Sequence, residues 1–224
     1  RIIKKWSTLR IANANGTGRS QFSGTVTLST NSISGGYELR DMTRGTGGTF
    51  GQNVVTNMNK GTSGNGTVYT DADNTWGDGA NYVSSNSTTS ANGQTTAVDA
   101  AYGMQLTWDM LKNEYGRNGI DGRGKATYTR VHYDSNYVNA FWSDSCFCMT
   151  YGDGSTSQGF KTLTSLDVAA HEMGHGVCAN SADLTYSGES GGLNEANSDI
   201  IAALAELYHR NGKVMPNSAS NTDN

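Results

Sequence analysis

One stretch limits what this chain can fold into more than any other: His171-Glu172-Met173-Gly174-His175, lying inside a run from Leu166 to Asn180. The spacing predicts a helix there, with Thr164 or Ser165 as N-cap and Asp167, three residues after Thr164, completing a capping box. On a helix, residues i and i+4 share a face, so His171 and His175 present two imidazoles to one point and Glu172 lies one position round. Such a helix must be met by a second element that completes the constellation.

Two histidines can hold one ion, but a tetrahedral catalytic zinc takes three protein ligands and leaves the fourth place open. The best third ligand is Glu195, in Gly192-Leu193-Asn194-Glu195-Ala196-Asn197-Ser198-Asp199. It lies near the start of a further helix, predicted from residues 192–194 to about Gly212 with Ile200, Leu204 and Leu207 as its apolar stripe. Asp199, one turn beyond Glu195, can accept the free ring N–H of one ligand histidine and fix its tautomer. Asn194 can serve the other.

The rest of the chain reads as α+β, an antiparallel or mixed β-sheet region followed by the helices that carry the candidate ligands. From about Gly16 to Gly93, short alternating runs such as Gly24-Thr25-Val26-Thr27-Leu28 between Gly and Asn clusters predict antiparallel strands with long loops. Val98, Tyr102, Leu106 and Met110 then recur every four residues, predicting an amphipathic helix from Ala97 to about Tyr115. Thr127 to Tyr133 and Ala140 to Tyr151 return to strand character, and Gly152-Asp153-Gly154 is a turn.

Composition narrows the partners. The net charge is −4 and no Lys/Arg-rich run is present, which argues against nucleic acid. No apolar stretch reaches the roughly 18–20 residues of a membrane span, the nearest being Ile200 to Leu207. Arg1 to Trp6 lacks a signal-peptide pattern. Three cysteines, Cys146, Cys148 and Cys178, permit one disulfide and one thiol, or a thiol whose partner lies outside the chain.

Four segments together resemble the thermolysin family of zinc endopeptidases: Asn139-Ala140-Phe141-Trp142, Tyr151-Gly152-Asp153-Gly154, Ser165 to His175, and Leu184 to Asp199. The resemblance is specific between Asn139 and Asp199 and weaker upstream. It implies a zincin-type N-terminal lobe and a secreted enzyme in which zinc on His171, His175 and Glu195 polarises water while Glu172 takes its proton. Tyr186 would then donate to the developing oxyanion. Asn139 and Ala140 match an edge strand that receives the substrate peptide, and Phe160, Leu163 and Val168 match an apolar pocket for a bulky hydrophobic residue after the cleaved bond.

The resemblance also implies calcium, at Asp167 with Glu206 and at a loop carrying Asp71 and Asp73, although Asp167 serves equally as a helix cap. Residues 1–12 resemble the end of a propeptide, which leaves 13–224 as the N-terminal lobe. The helical C-terminal lobe is expected to be absent from this chain and supplied by a separate one. The alternative is a catalytically weak or silent zinc- and calcium-binding lobe that only binds peptides.

Overall fold

The computed structural model describes residues 12–216, so the expected propeptide end falls almost wholly outside the described residues, as does the tail from residue 217. Eleven strands and three α-helices follow in order. Strands β1 (Ala12–Ser20), β2 (Gly24–Ile33), β3 (Gly36–Glu38), β4 (Arg40–Asp41), β5 (Asn53–Asn57), β6 (Thr67–Val68), β7 (Thr70–Asp71) and β8 (Thr75–Trp76) precede α1 (Ala91–Tyr115). Then come β9 (Tyr128–Tyr133), β10 (Ala140–Ser143), β11 (Cys148–Gly152), α2 (Leu166–Ala179) and α3 (Gly188–Arg210).

The first sheet has the order β7-β3-β2-β1-β8 and the second β10-β11-β9-β5-β4, with β6 pairing to β5. The β1–β2 hairpin alternates as the sequence pattern requires, turning Gly16, Gly18, Val26 and Leu28 inward. Gly18 lets α1 approach, because a Cβ there would meet Val98 at 2.7 Å and Leu28 at 2.9 Å. The pairing is mixed, one of the two arrangements expected for the sheet region. β8 joins β1 in parallel, and β9 runs parallel to both β5 and β11, so the fold is α+β with mixed sheets.

Helix boundaries differ from the sequence pattern where burial is polar. α1 starts at Ala91, six residues before the expected Ala97, capped by the Ser90 side chain, which accepts from the Gly93 N–H. Its first turns are buried through hydrogen bonds to the preceding loop. Asn92 accepts from the Val83 N–H, Gln94 from the Gly77 N–H and Thr95 from the Asp78 N–H. No apolar periodicity announces such a segment. The expected capping box does not form on α2. Ser165 is its N-cap without a side-chain cap bond, and Thr164 is buried, donating to Thr162 instead.

α3 begins at Gly188, before the predicted start, and of its expected stripe only Leu204, half-buried, packs against the core. Ile200 and Leu207 are exposed, whereas Gly191, Asn194, Ser198, Ile201, Ala202, Ala205 and Tyr208 are buried. Small side chains form the inner face because α3 lies close against α2: a Cβ on Gly174 would meet the Ser198 Cα at 2.7 Å. The run from Ala140 to Tyr151 is a hairpin, β10 and β11, rather than one strand, and Cys146 and Cys148 form a disulfide at its turn while Cys178 is a buried thiol.

α1 buries one carboxyl that serves no ligand. Asp99 Oδ1 accepts from the Ser20 hydroxyl and from the Gln21 N–H, while Oδ2 has no hydrogen-bond partner. Burial raises its pKa from 3.8 to about 7, against the opposing hydrogen bonds of Ser20, Gln21 and Phe22. A folded-state pKa above the unfolded one favours folding below about pH 4, and that contribution is lost as pH rises through about 7. Between about pH 4 and pH 8 the wild type should therefore lose up to on the order of 4 kcal/mol relative to Asp99→Asn, read from urea midpoints. Parallel pH profiles for the two proteins would show that Asp99 is not the titrating group.

Candidate metal centre

α2 carries His171 and His175 one turn apart, and α3 packs alongside so that Glu195 faces both. Glu195 Oε2 lies 3.2 Å from His171 Nε2, and Oε1 lies 3.6 Å from His175 Nε2. Two ligands about 2.05 Å from one zinc at the tetrahedral angle stand about 3.3 Å apart, close to the separation of Glu195 from each histidine, and one donor atom from each of the three residues lies within 4.8 Å of the others. Among the described residues this is the one group of three or more His, Cys, Asp or Glu side chains gathered closely enough to hold a metal.

The outer ring nitrogens decide which way the imidazoles present themselves. His171 Nδ1 donates to Asp199 Oδ1 at 2.9 Å, and His175 Nδ1 donates to Asn194 Oδ1 at 2.7 Å. Both acceptors place the proton on Nδ1, leaving the Nε2 lone pairs directed at the ion. Ser198, which the sequence did not single out, is also within 3.2 Å of His175 Nδ1 and donates to the Asn194 carbonyl at 3.0 Å. Its only sequence signal is its place one turn after Asn194.

Glu172 is buried and its pKa is raised to about 7, chiefly by burial and further by Glu195, with His171 and the backbone N–H of Trp142 pulling the other way. That backbone donor is invisible to side-chain motif reading. A dication beside Glu172 would favour its carboxylate form, the form that accepts a proton.

Two cavities flank Glu172 and the ligands. One of about 670 Å³ is lined by Ala140, Phe141, Trp142, Leu184, Tyr186 and Glu195, among others. A second, of about 310 Å³, is lined by Leu163, Asp167, Val168, Asp199 and Ala202. Asn139, Ala140, His171 and Glu172 belong to both, so Glu172 and His171 stand where they meet, while His175 and Glu195 line the larger one alone. Leu163 and Val168, two of the three residues expected to form an apolar pocket, line this smaller cavity. Phe160 does not: it is 50% exposed and outside the lining, because it follows the short 3₁₀ turn of residues 156–158 on the outer loop.

Tyr186 stands at the rim, 66% exposed, its hydroxyl donating to Glu195. Of the expected calcium residues, Asp167 is exposed and lines the smaller cavity, while the others are engaged within the protein. Glu206 pairs with Arg210 four residues on. Asp71 accepts from the Asp73 N–H and from Gln94, and Asp73 from the Thr75 N–H.

If the Nδ1 acceptors hold the rings, Asp199→Ala and Asn194→Ala should each weaken zinc binding by roughly 10–100-fold. Competition against a chelating dye measures this. Affinities equal to the parent would mean that ring orientation is set by packing alone.

The catalytic-domain pattern of thermolysin metallopeptidases matches residues 15–179, and the pattern of their alpha-helical domain matches residues 182–221. The helical-domain match therefore lies on this chain, and the two meet between α2 and α3. The transglutaminase-activating metalloprotease of Streptomyces mobaraensis is 53% identical over 196 residues, covering 88% of this chain and 23% of that protein. Bacillolysin of Bacillus cereus is 38% identical over 197 residues, covering 88% of this chain and 31% of that protein. Among solved structures, the precursor of protealysin, a metalloproteinase from Serratia proteamaculans, matches with a TM-score of 0.58 and 26% identity over 75% of this chain and 47% of that one. The chain thus spans between 23% and 31% of the length of these two curated relatives. With a fitting His-His-Glu centre on α2 and α3 and the catalytic-domain pattern running through both sheets, the chain belongs to the thermolysin metallopeptidase family.

Proposed function

We propose that this chain forms part of a secreted zinc endopeptidase that cleaves on the N-terminal side of bulky hydrophobic residues, with Glu172 as general base. The observation that carries this reading is the placement of buried Glu172 between two cavities and beside three convergent metal donors. Zinc, when bound, supplies Lewis-acid polarisation of the scissile carbonyl and of water. Glu172 then accepts the proton of the attacking water and returns it to the leaving amine. Tyr186, released from Glu195, would donate to the developing oxyanion.

β10 is the outer strand of its sheet, so its free edge can pair with an extended peptide. A peptide running antiparallel to β10 would reach the smaller cavity after passing Glu172. Leu163 and Val168 there favour an apolar side chain just beyond the cleaved bond. Calcium at Asp167 with Glu206, and at Asp71 with Asp73, belongs to the same reading.

The test is a blocked peptide with Leu or Phe after the scissile bond, offered to the zinc-loaded protein and to Glu172→Gln. Cleavage should fall by roughly 10²–10⁴-fold in the variant, with zinc retained. If the parent binds zinc and a peptide without cleaving it, a silent peptide-binding unit is the correct description.

A further inference from the structure

We infer that the Cys146–Cys148 disulfide is a positioning device for the peptide-binding edge of the cleft, acting through Phe147 on Trp142; the inference rests on the proposed use of β10 as that edge. A disulfide across a single intervening residue closes so short a loop that it removes little entropy from the unfolded chain. Its effect is local. It brackets Phe147, which is held at φ 53°, in the left-handed region that bulky side chains rarely adopt.

Phe147 is fixed on every side. Its carbonyl accepts from the Thr127 hydroxyl at 2.8 Å, and Lys125 Nζ lies 4.0 Å from its ring centroid. Its ring meets Trp142 edge-on, with centroids 5.1 Å apart and planes at 76°. Trp142 is clamped from the other side by the metal-bearing helix, since a Cβ on Gly176 would meet its indole at 3.0 Å. The indole N–H donates to Asp144 at 2.6 Å. Disulfide, Phe147 and Trp142 are therefore linked in series, and Trp142 lines the larger cavity together with Glu172.

Opening the disulfide removes the bracket and lets Phe147 leave the left-handed region, withdrawing the ring that backs Trp142. The metal ligands stay in place, because they hang from α2 and α3 and not from the hairpin. Cys146 is half-buried and Cys148 fully buried, so reduction starts at the Cys146 sulfur. A tertiary phosphine supplies the two electrons: the S–S bond breaks, two thiols form, and the phosphine leaves as its oxide with oxygen taken from water.

The experiment compares the oxidised protein with Cys146→Ser/Cys148→Ser, and with Phe147→Gly and Phe147→Tyr in the disulfide-bonded chain. Amide exchange of Phe141 to Ser143 should accelerate at least tenfold in the double variant and in Phe147→Gly, and stay at the parent rate in Phe147→Tyr. Exchange along α2 and the zinc content should not change, while kcat/KM falls about tenfold wherever the hairpin loosens. Exchange at Phe141 to Ser143 within twofold of the parent, or zinc lost in proportion to activity, overturns the inference. If the double variant does not fold, phosphine reduction of the folded parent, with the two released thiols counted, gives the same comparison. A parent that cleaves no peptide defeats the proposed function alone, since exchange still decides the role of the disulfide.

Discussion

The close approach of α2 and α3 is the constraint on which the metal centre depends. Gly174 faces Ser198 so tightly that a Cβ would strike the Ser198 backbone at 2.7 Å. Only at that separation can Glu195 on α3 stand within 3.2–3.6 Å of the Nε2 atoms of both histidines on α2. The same contact brings Asn194 and Ser198 to His175 and Asp199 to His171. Gly174 is thus the spacer inside the metal-binding pentad: any side chain there would push apart the helices that share the ion.

Charge makes the centre dependent on a cation. Glu172, Glu195 and Asp199 gather around the two imidazoles, and burial together with Glu195 raises the Glu172 pKa to about 7. Burying such a group without a compensating charge is unfavourable. A dication relieves this and holds Glu172 in the form able to accept a proton. Because the catalytic-domain match carries the histidines and the helical-domain match carries Glu195, a metal held by all three would tie the two regions together.

The metal centre was legible in the sequence because its information is local and chemical. The spacing of His171 and His175 implies a helix, and Glu195 and Asp199 follow one turn apart on the next. What the sequence hid is set by polar burial and by small residues. Asn92, Gln94 and Thr95 are buried by hydrogen bonds to a loop, so α1 starts earlier than its apolar pattern. On α3 the inner face is mixed: Ile201 and Tyr208 are buried beside Ser198, Ala202 and Ala205, while Ile200 and Leu207 point outward. A hydrophobicity pattern misses such a face, because the close contact with α2 fills part of it with small side chains. Phe160 lies outside the smaller cavity for another reason: it directly follows the left-handed Gly159 that ends the turn of residues 156–158, and its side chain is exposed.

α1 explains how a chain with only 35% hydrophobic residues holds this centre firmly. Its N-terminal turns are fixed by hydrogen bonds to the loop of residues 77–86, each satisfying a buried polar group that would otherwise destabilise the fold. Its later turns carry Val98, Tyr102, Leu106 and Met110 into the apolar core. At Gly103 it presses against Ala169, two residues before the first metal ligand, where a Cβ would approach Ala169 Cβ to 2.4 Å. One helix therefore transmits the position of the loops and of the first sheet directly to α2. Glycines at two helix contacts, Gly103 against Ala169 and Gly174 against Ser198, set the close spacing of the helices that the shared apolar core then holds together.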